Sequence, residues 1–264
     1  MKRTSESSNG KRIFWTVLLI ISICVFAVCM FFLIKSFVPK KNTNEEYNYR
    51  SAAVSEPGEK LITNPVDFAA LKQRNPDICG WIYIPGTEEA YGTAIDYPIL
   101  QSGEDKEEDF YLTHDLDGKK LFDGSVYIQK FNSADFSNPN TVIYGHDLYN
   151  KMMFTPLRKY RNADFFNSHG DMYIYIPGHI LTYRIYSAFV YDDRHILNSF
   201  NFNSEDGFAT FLGETLNPST MVKNVRPGVS VTTSDKIVTL STCTNNKSER
   251  YLVIGVLTDD QLTK

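Results

Sequence analysis

Residues Ile13 to Ile34 read IFWTVLLIISICVFAVCMFFLI, 22 residues without a charge. As a helix rising about 1.5 Å per residue, the run covers roughly 33 Å, enough for a hydrocarbon core of about 30 Å. A core helix of a globular domain rarely runs so long without a polar face, so the segment reads as a membrane span. A cleaved signal peptide is the closest rival, but its apolar stretch is shorter and ends in small residues. This run ends Phe32-Leu33-Ile34-Lys35-Ser36 without such an exit, which favours a retained anchor.

Lys2, Arg3, Lys11 and Arg12 precede the span, and the positive-inside rule then puts residues 1–12 in the cytoplasm and the bulk of the chain outside. Residues 1–38 hold five basic and one acidic residue. The remainder holds 22 and 30, a net of −8 against −4 for the whole chain. An exterior this acidic disfavours a nucleic-acid partner. Cys24 and Cys29 lie in the span and read as packing residues, leaving only Cys79 and Cys243 outside. That is no disulfide framework, although one bridge between them stays open.

The exterior divides into a polar stalk, residues 35–60, and a folded domain, residues 61–264. The stalk lacks apolar periodicity. A short helix is predicted from Asn64 as N-cap, with Pro65 in its first turn, Val66, Ala69 and Ala70 inward, and Asn75-Pro76 as its end. Short runs rich in Val, Ile, Tyr and Thr then dominate: Gly80–Ile84, Tyr97–Leu100, Ser125–Gln129, Thr141–Gly145, Met172–Ile176, Ile180–Tyr191, Lys236–Cys243 and Arg250–Leu257. Helices are expected near Lys151–Tyr160 and Ser204–Leu216. In the second, Phe208, Phe211, Leu212 and Leu216 share one face. A helix does not follow every strand, so the pattern is that of a mainly β barrel or sandwich rather than a parallel α/β sheet.

The chemistry concentrates at Lys236–Leu257. Two β-like runs flank the six-residue polar loop Thr244–Glu249, and the simplest antiparallel register sets Cys243 across from Arg250. A guanidinium beside a thiol favours the thiolate, the nucleophilic form, or could hold an oxyanion. From spacing alone, Cys243 could equally be a core residue and Arg250 an ordinary edge charge. Of the five histidines, His146 follows an apolar strand and Gly145, a place where a substrate backbone could approach, whereas His114, His169, His179 and His195 lie in polar contexts and read as solvated. Asp147 is a poor orienter for His146, because adjacent strand residues point to opposite faces. No metal-ligand spacing, phosphate loop or dinucleotide fingerprint occurs, and the acidic run Glu104–Asp109 reads as a solvated loop.

At these residues the chain resembles a known family. TLSTC at Thr239–Cys243, Arg250-Tyr-Leu-Val and TVIYGH at Thr141–His146 are similar to the sortases, cysteine transpeptidases of Gram-positive cell surfaces. GWIYIPGT at Gly80–Thr87, IDYPILQ at Ile95–Gln101, DFYLTHD at Asp109–Asp115 and GSVYIQ at Gly124–Gln129 resemble class B in particular, over roughly 61–258. In one respect the chain departs: the loop between Cys243 and Arg250 is shorter than in familiar class B members.

The resemblance implies an eight-stranded β-barrel with an N-terminal helix and a helical insertion before the last two strands. It implies Cys243 as nucleophile, His146 as general acid/base and Arg250 as oxyanion or substrate clamp. Ser241 would touch the substrate, and Thr242 would do so through its backbone. No metal or cofactor is expected. Partners would be exported proteins carrying a C-terminal sorting signal, cleaved after Thr, and an amine of a peptidoglycan precursor or cross-bridge. Two alternatives remain: a pilus-polymerising sortase, with a Lys of another subunit as acceptor, and a non-catalytic surface binding domain.

Overall fold

A computed structural model describes residues 6–37, 48–51, 61–244, 246 and 248–264. The chain divides into two units, Met1–Lys40 and Lys41–Lys264. In the first, the apolar run is one helix, α1 (Glu6–Phe37). Its stretch Arg12–Lys35 is 24 residues long, apolar enough to cross a membrane, and has no residue buried within the protein. A helix satisfies its backbone groups internally, as a hydrocarbon environment demands.

Most of residues 35–60, expected to be a stalk, lies outside the described residues. Asn48–Ser51 are described and belong to the second unit. Arg50 forms an antiparallel bridge with Val66, flanked by bonds from Ser51 N to Pro65 O and from Asp67 N to Tyr49 O. The Arg50 guanidinium donates to both Asp96 oxygens at 2.7 and 2.8 Å and lies 3.8 Å over the Tyr83 ring. Asp96 is buried and also accepts from Trp81 Nε1 at 2.7 Å. A buried carboxylate needs such partners, which is why this short segment is held in place.

The second unit opens with α2 (Phe68–Arg74). Its N-cap is Asp67, which accepts from Ala70 N at 2.9 Å, not Asn64 as expected. Asn64 is committed to a turn of its own: its carbonyl oxygen accepts from Val66 N, and its amide donates to Ile176 O. The buried residue of α2 is Leu71, while Ala69 is exposed, so the inward face differs from the expected one. Asn75 ends the helix as expected.

Along the chain follow β1 (Ile78–Ile84), α3 (Glu88–Tyr91), β2 (Ile95–Gln101), β3 (Tyr127–Ile128), β4 (Asn140–Tyr144), α4 (Ala163–Ser168), β5 (Asp171–Ile176), β6 (His179–Asp192), α5 (Ile196–Ser199), α6 (Glu205–Leu216), β7 (Lys223–Val225), β8 (Ile237–Cys243) and β9 (Glu249–Leu262). Eight strands close in the order β5-β1-β2-β3-β4-β8-β9-β6, with β6 pairing back onto β5, and β7 adds to the free side of β6. β2–β3 and β4–β8 are parallel, and the remaining pairs are antiparallel. Closure leaves no open edge among the eight.

Alternation along the strands separates an inner core from the outer ones. Tyr251 and Val253 of β9 turn inward with Ile82, Ile143, Ile174 and Leu240. Leu252 and Ile254 turn outward and meet Phe208, Phe211 and Leu212 of α6. Ser204 caps α6 by accepting from Gly207 N. Leu216, expected on the inward face, is partly exposed. Thr215 is buried in its stead, its carbonyl accepting from Ser187 Oγ at 2.6 Å. The helix expected near Lys151–Tyr160 is a 3-10 helix over Thr155–Arg161. Lys151 and Met153 have φ of +63° and +52°, a left-handed conformation that an α-helix excludes.

Candidate active site

The site grows from two strand registers. In the β8–β9 ladder Ile237 pairs with Val256 and, six residues on, Cys243 pairs with Arg250, as the simplest register requires. In the parallel β4–β8 ladder Tyr144 pairs with Ser241, and Gly145 N donates to Ser241 O at 3.2 Å. Two residues further along each chain lie His146 and Cys243. With a side-chain period of two, Ser241 and Cys243 share a face of β8. The two ladders thus deliver His146, Cys243 and Arg250 to one end of the barrel.

They line a cleft of about 230 Å³ together with Ser241 and Thr242. Tyr127, Tyr144, Leu112, Asp109, His195 and Ile196 are among the remaining lining residues. Cys243 is exposed, whereas Ser241 and Thr242 are buried. Thr242 Oγ1 has no hydrogen-bond partner among the described residues. The Tyr127 and Tyr144 rings stack at 5.4 Å. Burial, and next the charge of Asp109, raises both hydroxyls above their ordinary range and keeps them neutral. Asp109 accepts from Tyr127 Oη at 3.1 Å and from Gln129 Nε2 at 2.8 Å.

His146 Nε2 lies 2.7 Å from the carbonyl oxygen of Leu112, in the 3-10 turn Phe110–Leu112. A carbonyl only accepts, so Nε2 carries the proton and Nδ1 of the neutral ring holds the lone pair. The Phe122 ring stacks alongside at 6.2 Å. Gly124, with φ +54°, supports this arrangement, because a Cβ there would run into the Leu112 carbonyl. Gly145 also has a packing reason to be glycine: a Cβ would lie 2.7 Å from the Phe154 ring. Phe154 N also donates to His146 O at 2.9 Å, fixing the chain beyond the histidine.

Asp147 turns away, as its parity on the strand requires. Its carboxylate is bound by Arg158 Nε at 2.5 Å with 3% of the side chain exposed. Burial raises its pKa against the opposing pull of Arg158.

The bridge between Cys79 and Cys243 does not form. Cys79 is buried in the inner core, where its Sγ lies 3.4 Å from Ile99 O, and both thiols are free. Three other histidines stay away from the cleft: His114 stacks on Phe110 at 3.8 Å, His169 stacks on Phe165 at 4.0 Å, and His179 pairs with Asp260 at 2.7 Å. His195 corrects the expectation of a solvated residue. It lines the cleft, with Phe131 at 5.8 Å and Tyr144 at 6.5 Å, and its buried Nδ1 has no partner among the described residues. The signal that could have found it is its position between the end of the long strand β6 and the apolar Ile196. Among the described residues no three His, Cys, Asp or Glu side chains stand together as a metal-ligand set. Within the acidic run, Lys106 pairs with Asp77 at 2.5 Å and Glu108 accepts from Lys130 N, so these side chains are engaged in structure.

Comparison with known proteins identifies the family. The model of the sortase domain matches residues 82–258. Sortase B of Listeria monocytogenes is 34% identical over 180 residues, 67% of each chain. Among solved structures, Clostridium perfringens sortase B gives a TM-score of 0.63 at 28% identity, over 73% of this chain and all of that one. The Staphylococcus aureus sortase B–substrate complex gives 0.61 at 26%, over 73% and 84%. The chain belongs to the sortases, as a cysteine transpeptidase of class B.

Proposed function

We propose that this sortase is anchored by α1 with residues 1–12 in the cytoplasm and its catalytic domain outside, and that it joins exported proteins to the cell wall. Cys243 Sγ attacks the carbonyl that follows Thr in a C-terminal sorting motif. The thiol proton of Cys243 passes to Nδ1 of His146, the S–C bond forms, the C–N bond breaks, and His146 hands that proton to the leaving amine. With Nε2–H committed to Leu112, that proton moves through Nδ1. Arg250 clamps the oxyanion or the motif's backbone with its planar fork of donors. Ser241 contacts the motif from the same face as Cys243, and Thr242 does so through its backbone. An amine of a peptidoglycan precursor or cross-bridge then attacks the thioester carbonyl: the new C–N bond forms, the C–S bond breaks, and the amine's proton passes through His146 back to the Cys243 sulfur.

The observation that supports this reading most is the convergence of Cys243, Arg250 and His146 from three neighbouring strands on one cleft. That a sortase B of similar fold has been solved with its substrate supports the substrate class. The test uses the full chain in detergent with a panel of sorting peptides. Mass spectrometry should find the acyl group on the fragment carrying Cys243. Cleavage that survives Cys243→Ala in a folded protein would overturn the assignment.

A further inference from the structure

A second groove, of about 520 Å³, opens beside the cleft. The two share α5 and β4. His195, Ile196 and Tyr144 line the cleft, whereas Leu197 to Phe200 and Asn140, at the start of β4, line the groove.

The composition of the groove is unusual for this chain. Six asparagines and three phenylalanines line it, and no charged side chain does among the described residues, although charged residues make up 22% of the sequence. A charged ligand would find no counter-charge there. A neutral ligand rich in hydroxyls and amides would find side chains that both donate and accept. Asn140 is 1% exposed, its Oδ1 accepts from Thr239 Oγ1 at 2.9 Å, and its Nδ2 has no partner among the described residues. A buried donor left this way is a place where a ligand acceptor gains more than at a solvated one. Phe131 puts a largely exposed ring on the rim, and the electron-rich face of an aromatic ring suits the C–H face of a sugar.

We propose that this groove binds the saccharide part of the acceptor, a neutral chain of N-acetylated aminosugars. The proposal rests on the acyl-transfer reading above and adds where the second substrate is held. The spacing suits it. Asn140 lies six residues before His146, which is about 20 Å of extended chain. A peptide of about six residues, attached to the sugar, reaches that far and carries its amine to the thioester.

The experiment compares two acceptors on the full chain in detergent, after it has been acylated by a sorting peptide. One is an amine-bearing peptide. The other is the same peptide linked to an N-acetylglucosamine–N-acetylmuramic acid disaccharide. The glycosylated acceptor should show a KM about tenfold lower, the scale of one or two net hydrogen bonds. Asn198→Ala combined with Asn203→Ala, both exposed positions, should bring the two KM values together while thioester formation stays unchanged. Phe131→Ala should shift the ratio the same way. Equal KM values for the two acceptors in the parent protein, or an advantage that survives both variants, overturns the groove assignment alone. Absence of a thioester before any acceptor is added overturns the acyl-transfer reading, and the groove assignment with it.

Discussion

Cys79 and Cys243 belong to the same sheet and the same domain, yet their surroundings share almost nothing. Cys79 sits on β1 among Ile82, Ile99 and Phe136, and its thiol is pushed up to about 12, chiefly by burial, despite the charge of Lys72. Cys243 is the last residue of β8, exposed, across the ladder from Arg250 and beside a cleft that also holds His146. The difference teaches that surroundings, not residue type, decide which thiol is available. A sulfur in the middle of a closed barrel is insulated on every side. A sulfur at a strand end meets solvent, a neighbouring cation and a loop that can carry a base.

The largest expected effect comes from removing each thiol in turn. Cys243→Ala should lower acyl transfer by more than about a thousandfold, the loss usual for a covalent nucleophile. Cys79→Ala should leave turnover within about twofold and lower stability by about 1–2 kcal/mol through the small cavity it opens. Peptide cleavage rates and denaturant midpoints read the two effects. Equal losses of turnover would break the distinction. Arg250→Lys comes next. A point charge on a flexible stem does not reproduce the fork, so kcat/KM should fall about a hundredfold with the fold intact. Near-normal turnover would show that only the charge beside Cys243 matters.

Gly124→Ala should act more mildly, because it strains the left-handed backbone and presses on the Leu112 carbonyl that orients His146. An approximately tenfold fall in kcat with little change in KM is the expected signature. The smallest effect is a pH slope. The Cys79 thiol stays protonated to about 12 in the folded protein, against an ordinary value of 9.0. The unfolded chain therefore loses this proton first as pH rises. The contribution to stability is complete below pH 9 and is lost progressively from there to 12. The difference in unfolding free energy between the parent protein and Cys79→Ala should shrink across that window. A constant difference would contradict the burial of Cys79.

All eight barrel strands were legible in the sequence, because each buries enough Val, Ile and Tyr to show the β pattern. The ninth, Lys223–Val225, was not, since three partly exposed residues on the free side of β6 carry no such pattern. The helix at Ser204–Leu216 was legible from its cap and apolar spacing. The helix expected near Lys151–Tyr160 starts later and is a 3-10 helix, because positive φ at Lys151 and Met153 leaves no mark on composition. In the cleft, the pairing of Cys243 with Arg250 followed from a hairpin count, a local property. The places of His195 and the Leu112 carbonyl in the cleft are not legible in the sequence, because only the closed barrel brings the turn before α5 and the turn before β3 to the same place. No side-chain pattern announces a backbone acceptor.

The ladder between β8 and β9 runs unbroken from Ile237–Val256 to Cys243–Arg250, and it alone sets that pairing. The connection beyond Cys243 therefore bears no responsibility for alignment. Insertions or deletions there need not separate the two residues. For protein engineering, the same few positions after Cys243 are a place where sequence can be grafted or randomised without disturbing that pairing.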